Sequence, residues 1–375
     1  MAFVERSRLS TDRIPVSLIT GFLGSGKTTL IAALLKQPAM KGTAVIVNEI
    51  GAVGIDDAIF AQTLDAGDVV LLANGCLCCA QGDDLASTVW ALAARPDRPR
   101  RTVIETSGLA DPAPALRRLM GDPRLRQAIR LDALVATVDA VNGLRDLTEQ
   151  PVAARQCAVA DRRLITKADL GDPREVTMLM EHLLALNPGA PVEFVAHGKI
   201  DAARLFGASL FDAESGRADV DRWLNLDRYR GRSFGRHEEK DLRFAGGPAH
   251  DPSVGAWLLE EVRPVAWEKL SPRLGEIVAR YGDRLLRLKG VIRTAGDPRP
   301  LVIHGVQRLF HGPVRLERWA RPPATSIVAI GDKGAEPAID LIAEALAASV
   351  ATERTDSAPG LPTSGSASYQ KELAV

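Results

Sequence analysis

The sequence predicts an α/β protein in two parts: a doubly wound, mostly parallel sheet in the first half and a smaller α+β unit in the second. Three observations carry this reading. From Ile14 to about Phe206, short and nearly continuous apolar runs alternate with helical patterns, and strands without polar alternation are what burial on both faces of a parallel sheet requires. A glycine-rich segment, GFLGSGKTTL (residues 21–30), lies between the first apolar run and the first helical pattern. Beyond residues 224–236 (LNLDRYRGRSFGR), a polar stretch that reads as a linker, strands and helices mix without the regular alternation, as in a largely antiparallel α+β sheet.

Taken in order, the expected elements of the first part are a strand IPVSLIT, a helix over 27–37, strands TAVIVN and DVVLLA, and a helix over 83–94. Strands RTVIET, LDALVATVDA and DRRLITK, a helix over 175–186 and a strand PVEFV follow. In the second part, helices are expected over 251–262, 272–281 and 336–346, and strands over 285–294, 301–310 and 325–330. The implied division is a flexible N-terminus to residue 13, a domain over 14–223, the linker 224–236 and a second domain over 237–348. The tail 349–375 is rich in Ser, Thr, Pro and Gly and is expected to be disordered, because it has too few large apolar groups to offset its ordering entropy.

Composition narrows the function classes. With 375 residues and 46% apolar content the chain can fill two cores. The 47 basic and 47 acidic residues balance, which argues against nonspecific nucleic-acid or anionic-membrane binding. No stretch approaches the ~20 apolar residues that span a bilayer, and the N-terminus lacks the apolar centre of a secretory signal, so a cytoplasmic location is expected. Four cysteines in such a chain point to metal or catalytic thiols before a disulfide framework.

Three segments carry the chemistry. GFLGSGKTTL matches the phosphate-loop pattern at Gly21, Gly26, Lys27 and Thr28, between a strand and a helix as that pattern demands. The loop amides, with Gly24, Ser25 and Thr29 among them, would cradle phosphates. Lys27 would reach the β and γ phosphates, and the Thr28 hydroxyl would ligate Mg²⁺. The strand of VIETSGLADP (103–112) delivers Glu105 at its carboxyl end, the place from which such enzymes present an acid to Mg²⁺. Gly108 then follows where a backbone amide can approach the γ-phosphate. A simple strand end with a capping turn at ADP would also suit this segment. LITKADL (164–170) resembles the N/T-K-x-D motif of guanine recognition. Asp169 would accept two hydrogen bonds from guanine, the Lys167 stem would lie over the base, and Thr166 stands where many GTPases have Asn.

NGCLCC (74–79) concentrates three of the four cysteines. Cys76, Cys78 and Cys79 can supply most of a tetrahedral zinc site at ~2.3 Å per bond, and soft thiolates would also accept Cu(I), Co²⁺ or Ni²⁺. A Cys76/Cys79 C-x-x-C redox pair and simple packing are the competing readings. Cys157 lies in a helical pattern and reads as core. His182, His197, His250, His304 and His311 are scattered and read as surface or packing residues.

GFLGSGKTTL, VNEIGAVGID, NGCLCC, ETSGLADP and TKADL, in this order, resemble the CobW family of phosphate-loop GTPases, implicated as metal chaperones or insertases. RLKGVI (287–292) and VIHGVQRLFH (302–311) resemble that family's C-terminal domain. The resemblance implies that Glu49 joins Cys76, Cys78 and Cys79 around a transition metal, Zn²⁺ or Co²⁺, and that Asp56 lies in a nucleotide-sensing switch. It implies a GTPase that uses GTP and Mg²⁺ and hands its metal to a client metalloprotein; the residues leave open whether it works as a homodimer. The sequence departs from the family at Ala52 and Leu71, where acids are common, and its His-rich stretch is reduced to RHEEK with His237. The water-orienting residue stays open among Glu105, Glu49 and Asp56. A nucleotide-stabilised metal buffer with little turnover is the alternative from another class, and an ATP-using kinase is a third.

Overall fold

The computed structural model describes residues 13–47, 69–71, 83–207, 220–230, 242–244, 254–310, 312–319 and 321–351. Its first part is a wholly parallel sheet of strands β1 (Ile14–Thr20), β2 (Thr43–Val47), β3 (Val69–Leu71), β4 (Arg101–Glu105), β5 (Ile129–Asp139), β6 (Arg162–Thr166) and β7 (Val192–Val195), in the order β3-β2-β4-β1-β5-β6-β7. Register follows from pairings such as Ile19 with Glu105 and Asp139 with Thr166. Helices α1 (Lys27–Leu35), α2 (Asp83–Ala93), α3 (Pro112–Gly121), α4 (Leu125–Ala128), α5 (Gly143–Glu149), α6 (Pro151–Val159) and α7 (Pro173–Leu186) connect these strands. Each strand had a counterpart in the apolar pattern. The structure adds α3 to α5 and gives bounds, as α6, to the helical pattern around Cys157; α3 begins at the ADP turn, where the Asp111 side chain accepts from the Ala113 amide at 2.9 Å.

Both faces of the central strands are covered, as their unbroken apolar character requires. Val16, Leu18, Ile46 and Ile104 pack on one side, whereas Ile19, Val45 and Val103 meet Leu30, Ile31 and Leu34 of α1 on the other. Two short helices, α8 (Ala202–Leu205) and α9 (Val220–Leu224), lead to α10 (Leu226–Arg230). The first residues of the expected linker are therefore helical. Leu226 and Tyr229 are buried, which anchors this stretch to the first part.

The second part is an antiparallel sheet of β8 (Leu242–Phe244), β9 (Val254–Glu261), β10 (Leu285–Ile292), β11 (Leu301–Val306), β12 (Leu309–Phe310), β13 (Val314–Arg315) and β14 (Thr325–Asp332). Its order is β12-β11-β10-β14-β9-β8, with β13 on β11. Helices α11 (Trp267–Tyr281) and α12 (Glu336–Ala348) complete it.

Two expectations are corrected. Residues 251–262 were read as a helix, yet 254–261 form strand β9. Alternate residues of β9 face opposite ways: Ala256 and Leu258 pack toward the first part, Trp257 and Leu259 toward α11 and α12. With both faces buried, no polar alternation marks the strand, and the preceding Asp251-Pro252 imitates a helix start. Helix α11 starts at Trp267 and carries Pro272 in its interior, so the proline expected to open the helix lies beyond its first turn.

Candidate functional site

The carboxyl edge of the parallel sheet gathers the phosphate loop, the end of β4 and the end of β6, where an open α/β sheet offers its crevice. Gly21, Gly24 and Gly26 have φ of 144°, 71° and 88°, a left-handed region that side-chained residues resist. A Cβ on Gly21 would lie 2.4 Å from the Thr137 carbonyl oxygen, so the loop can descend onto β5 only with glycine there. Beneath it, the Ser25 and Thr137 hydroxyls bond at 2.7 Å, and Thr137 Oγ1 lies 3.3 Å from the Thr20 carbonyl. Helix α1 then opens with no side-chain cap and no acidic residue in its first turn, leaving amides and a positive helix end for an anion.

Lys27 is buried, and its Nζ donates to the carbonyls of Gly21 at 3.0 Å and Phe22 at 3.2 Å, which hold the ammonium at the mouth of the loop. The Thr28 hydroxyl donates to Glu105 Oε1 at 2.9 Å. A hydroxyl and a carboxylate side by side are hard oxygen donors, a set that fits Mg²⁺ and not a soft metal. The loop after β4 then runs against the phosphate loop. A Cβ on Gly108 would lie 2.8 Å from the Leu23 amide nitrogen, so the close approach again requires glycine.

On the other flank, Thr166 Oγ1 lies 2.8 Å from the Ser25 carbonyl and 3.2 Å from that of Val138. The threonine thus ties the phosphate loop to the strand ends. Lys167 adopts φ 54°, and its Nζ reaches the Gly24 carbonyl and Asp139 Oδ2, each at 2.7 Å. Burial pushes the Asp139 carboxyl up, but the Lys167 ammonium and the Val141 amide outweigh it and hold the group below its ordinary value. Asp169 is exposed at the rim, as is Thr29 on α1. Asp139, Thr137 and the amide of Gln156, which donates to the Gly108 and Ala110 carbonyls, were not among the residues read from sequence. Asp139 had a signal, an acid ending an apolar strand; the other two had none.

Glu49, Asp56, Cys76, Cys78 and Cys79 lie outside the described residues, as do Ala52, His237, His250 and His311. Among the described residues no group of three metal-ligating side chains forms. The strands that lead into Glu49 and Cys76 do end at this same edge: β2 pairs in parallel with both β3 and β4, with Val47 opposite Leu71 and Glu105. Cys157 is buried and its thiol is pushed up to about 12 by that burial, which makes it a packing residue. His304 stands edge-on to Trp223 at 5.8 Å. No helix among the described residues is long and apolar enough to cross a membrane.

Comparison with known proteins extends these observations. Residues 15–194 match the family described as CobW/HypB/UreG, nucleotide-binding domain, and residues 254–349 match the cobalamin synthesis protein cobW C-terminal domain. The chain is 32% identical over 327 residues to zinc chaperone YjiA of Escherichia coli K12, covering 85% of this chain and 94% of that protein. It is 29% identical to zinc chaperone CobW of a Sinorhizobium species, covering 80% and 87%. A 29% match to zinc-regulated GTPase metalloprotein activator 1 of Schizosaccharomyces pombe covers 51% of this chain and 47% of that one. The crystal structure of Zn(II)-bound YjiA GTPase from E. coli superposes with a TM-score of 0.61 at 28% identity, covering 90% of this chain and 99% of that one. A likeness that runs through both parts at this identity makes the chain a member of the CobW family, a phosphate-loop GTPase with the CobW C-terminal domain attached.

Proposed function

We propose that this GTPase is a metallochaperone: it holds a divalent transition metal, zinc or a close relative such as cobalt, at Cys76, Cys78, Cys79 and Glu49, and passes it to a client metalloprotein under control of its nucleotide. The observation that carries this reading is the shared edge. Strand β2, which leads to Glu49, is hydrogen-bonded to β4, which presents Glu105 to Thr28. One segment after β2 can therefore answer to the γ-phosphate and to the metal together. The names of the relatives support the metal: zinc chaperones, and a zinc-regulated GTPase metalloprotein activator.

The reaction is attack of water on the γ-phosphate. Lys27 and the first-turn amides of α1 offset the charge that builds on the phosphate oxygens, and the glycines of the loop allow those amides to converge. Thr28 and Glu105 would hold Mg²⁺, whose chemistry here is to neutralise β- and γ-phosphate charge. Asp169 selects guanine by accepting from two donors that adenine lacks, while Thr166 and Lys167 keep the phosphate loop in register with the base site.

The test is zinc affinity measured with a nonhydrolysable GTP analogue and with GDP. The two affinities are expected to differ by about tenfold, within the usual range of coupling between sites; equal affinities would remove the control. Replacing Cys78 and Cys79 with Ala should abolish tight zinc binding and leave GDP affinity within about twofold. A Zn(II)-bound structure of YjiA exists for a variant with one glutamate and two cysteines changed to alanine. Affinity, and not bare occupancy, is accordingly the quantity to read. GTP turnover with and without zinc separates a chaperone from a buffer, which would turn over in neither state.

A further inference from the structure

We propose that Gln156 is a positioning residue for the γ-phosphate end of the site: its amide clasps the loop after β4 and so seats Gly108 against the phosphate loop. The proposal rests on the GTPase reading and adds to it a residue outside the phosphate-loop, acid and base motifs. Gln156 lies on α6 and is completely buried. Its Nε2 donates to the Gly108 carbonyl at 3.1 Å and to the Ala110 carbonyl at 2.9 Å. Both hydrogens of one amide are thus used on two carbonyls of one short turn.

Packing does not explain an amide here. The nearby positions Ala153, Cys157 and Ala160 on and after α6 are apolar and buried, and a buried carboxamide is costly unless its hydrogen bonds are made. A leucine or methionine would fill the same space. What the amide adds is a fixed backbone at Gly108 and Ala110, on either side of Leu109, which is 53% exposed.

The clasped turn is joined to the reaction site through β1, Glu105 and the phosphate loop. Its first residue, Thr106, donates its amide to the Ile19 carbonyl of β1 at 3.0 Å, and Ala110 closes the turn onto Ser107 at 3.0 Å. Glu105, just before it, accepts from Thr28. Gly108 abuts Leu23 so closely that no Cβ fits. A peptide held on one side by Gln156 and on the other by the phosphate loop has little freedom left. Its amide can meet a third phosphate without first being ordered, which is the advantage of a donor fixed before the reaction. The orientation of the Gln156 amide is unambiguous, since only its nitrogen can bond to two carbonyls. Among the described residues its Oε1 has no donor, and Gln156 lines a cavity of about 10 Å³ together with Ser25, Thr137 and Cys157.

The experiment uses the full chain with Gln156→Met, which keeps the volume and removes both bonds. Dissociation constants are measured for GDP and for a nonhydrolysable GTP analogue, along with kcat and KM for GTP. GDP affinity should stay within about twofold, while analogue affinity and kcat fall about tenfold, the size expected for losing bonds to two buried carbonyls. A residue that only supports the fold would weaken both nucleotides alike and lower Tm with kcat preserved per folded molecule. That result, or no change in the analogue-to-GDP ratio, overturns the proposal.

Gln156→Glu gives a second reading should the methionine variant fail to fold. Facing two carbonyls, its carboxyl must be protonated to donate one hydrogen, so the analogue-to-GDP ratio should fall as pH rises from about 6 to 8.5. A flat ratio at the wild-type level also overturns the proposal. Absence of GTP turnover in the wild type would defeat the GTPase reading instead, and the analogue-to-GDP ratio would still decide the clasp.

Discussion

Thr166 stands where an asparagine is common, and the structure shows what the shorter side chain does. Its hydroxyl reaches the Ser25 and Val138 carbonyls, so it braces the phosphate loop against the ends of β5 and β6. Thr166→Val keeps the shape and deletes that donor. GTP and GDP affinity should both fall by about tenfold, since a buried carbonyl left without its partner costs ~1–3 kcal/mol; titration with a fluorescent nucleotide checks this. Equal loss for both nucleotides distinguishes this brace from Gln156, whose loss should be felt with the triphosphate alone. Gly21 makes a sharper case. With φ 144° and the Thr137 carbonyl 2.4 Å from any added Cβ, Gly21→Ala should abolish binding of either nucleotide while the far domain stays folded, as a denaturation curve with retained near-ultraviolet dichroism would show.

At the scale of elements, α7 ends against a buried cation. Arg163 on β6 is fully buried and donates to the carbonyls of Leu183, Asn187 and Ala190, at and just beyond the end of the helix. A guanidinium there answers the negative end of the helix and adds donors to carbonyls at which the helical hydrogen-bond pattern runs out. Arg163→Met should destabilise the protein by about 3 kcal/mol, because the hydrogen bonds of a buried cation to three carbonyls are lost together. The shift of the urea midpoint, with m unchanged, measures it. The strand β9 teaches the complementary lesson. Its residues alternate between two buried surfaces, so the period that would identify a strand is erased by the way the second sheet is covered.

Across the whole molecule, the second sheet lies on the first part through a polar seam. Asp161, immediately before β6, accepts from Arg287 Nη2 at 2.6 Å and Lys289 Nζ at 2.9 Å, both on β10. Arg287 also donates to the Val159 carbonyl. Burial alone would raise the Asp161 carboxyl, but the two cations outweigh it and bring it down to about 2. Lys289 is brought down to about 8 from 10.5 by its burial and by Arg287; of the two cations it is the one that can give up its proton. The signs follow from which state binds protons. Between pH 8 and 10.5 the unfolded chain holds the Lys289 proton more tightly than the folded one, so stability should rise with pH across that window. Lys289→Met should flatten the rise, which thermal melts at several pH values would detect. The contribution of Asp161 is complete above 3.8 and lost as pH falls toward 2. The same seam approaches the nucleotide site at Asp111, which caps α3 and accepts from Gln307 Nε2 of the second part at 3.3 Å.

The parallel sheet, the phosphate loop and the acid at the end of β4 were legible in the chain because each is a local pattern: an unbroken apolar run, a glycine spacing, a strand-terminal carboxylate. Residues that act by meeting distant partners left no such mark. Gln156 is separated from Gly108 by 48 positions and Asp161 from Lys289 by 128, and nothing near either names the other. Strand β9 was misread for the same reason, since its two buried faces come from helices and strands far along the chain. Local spacing determined which chemistry this protein carries; only tertiary packing decided which side chains hold that chemistry in place, because a buried amide or ion pair acquires its role from what the fold brings against it.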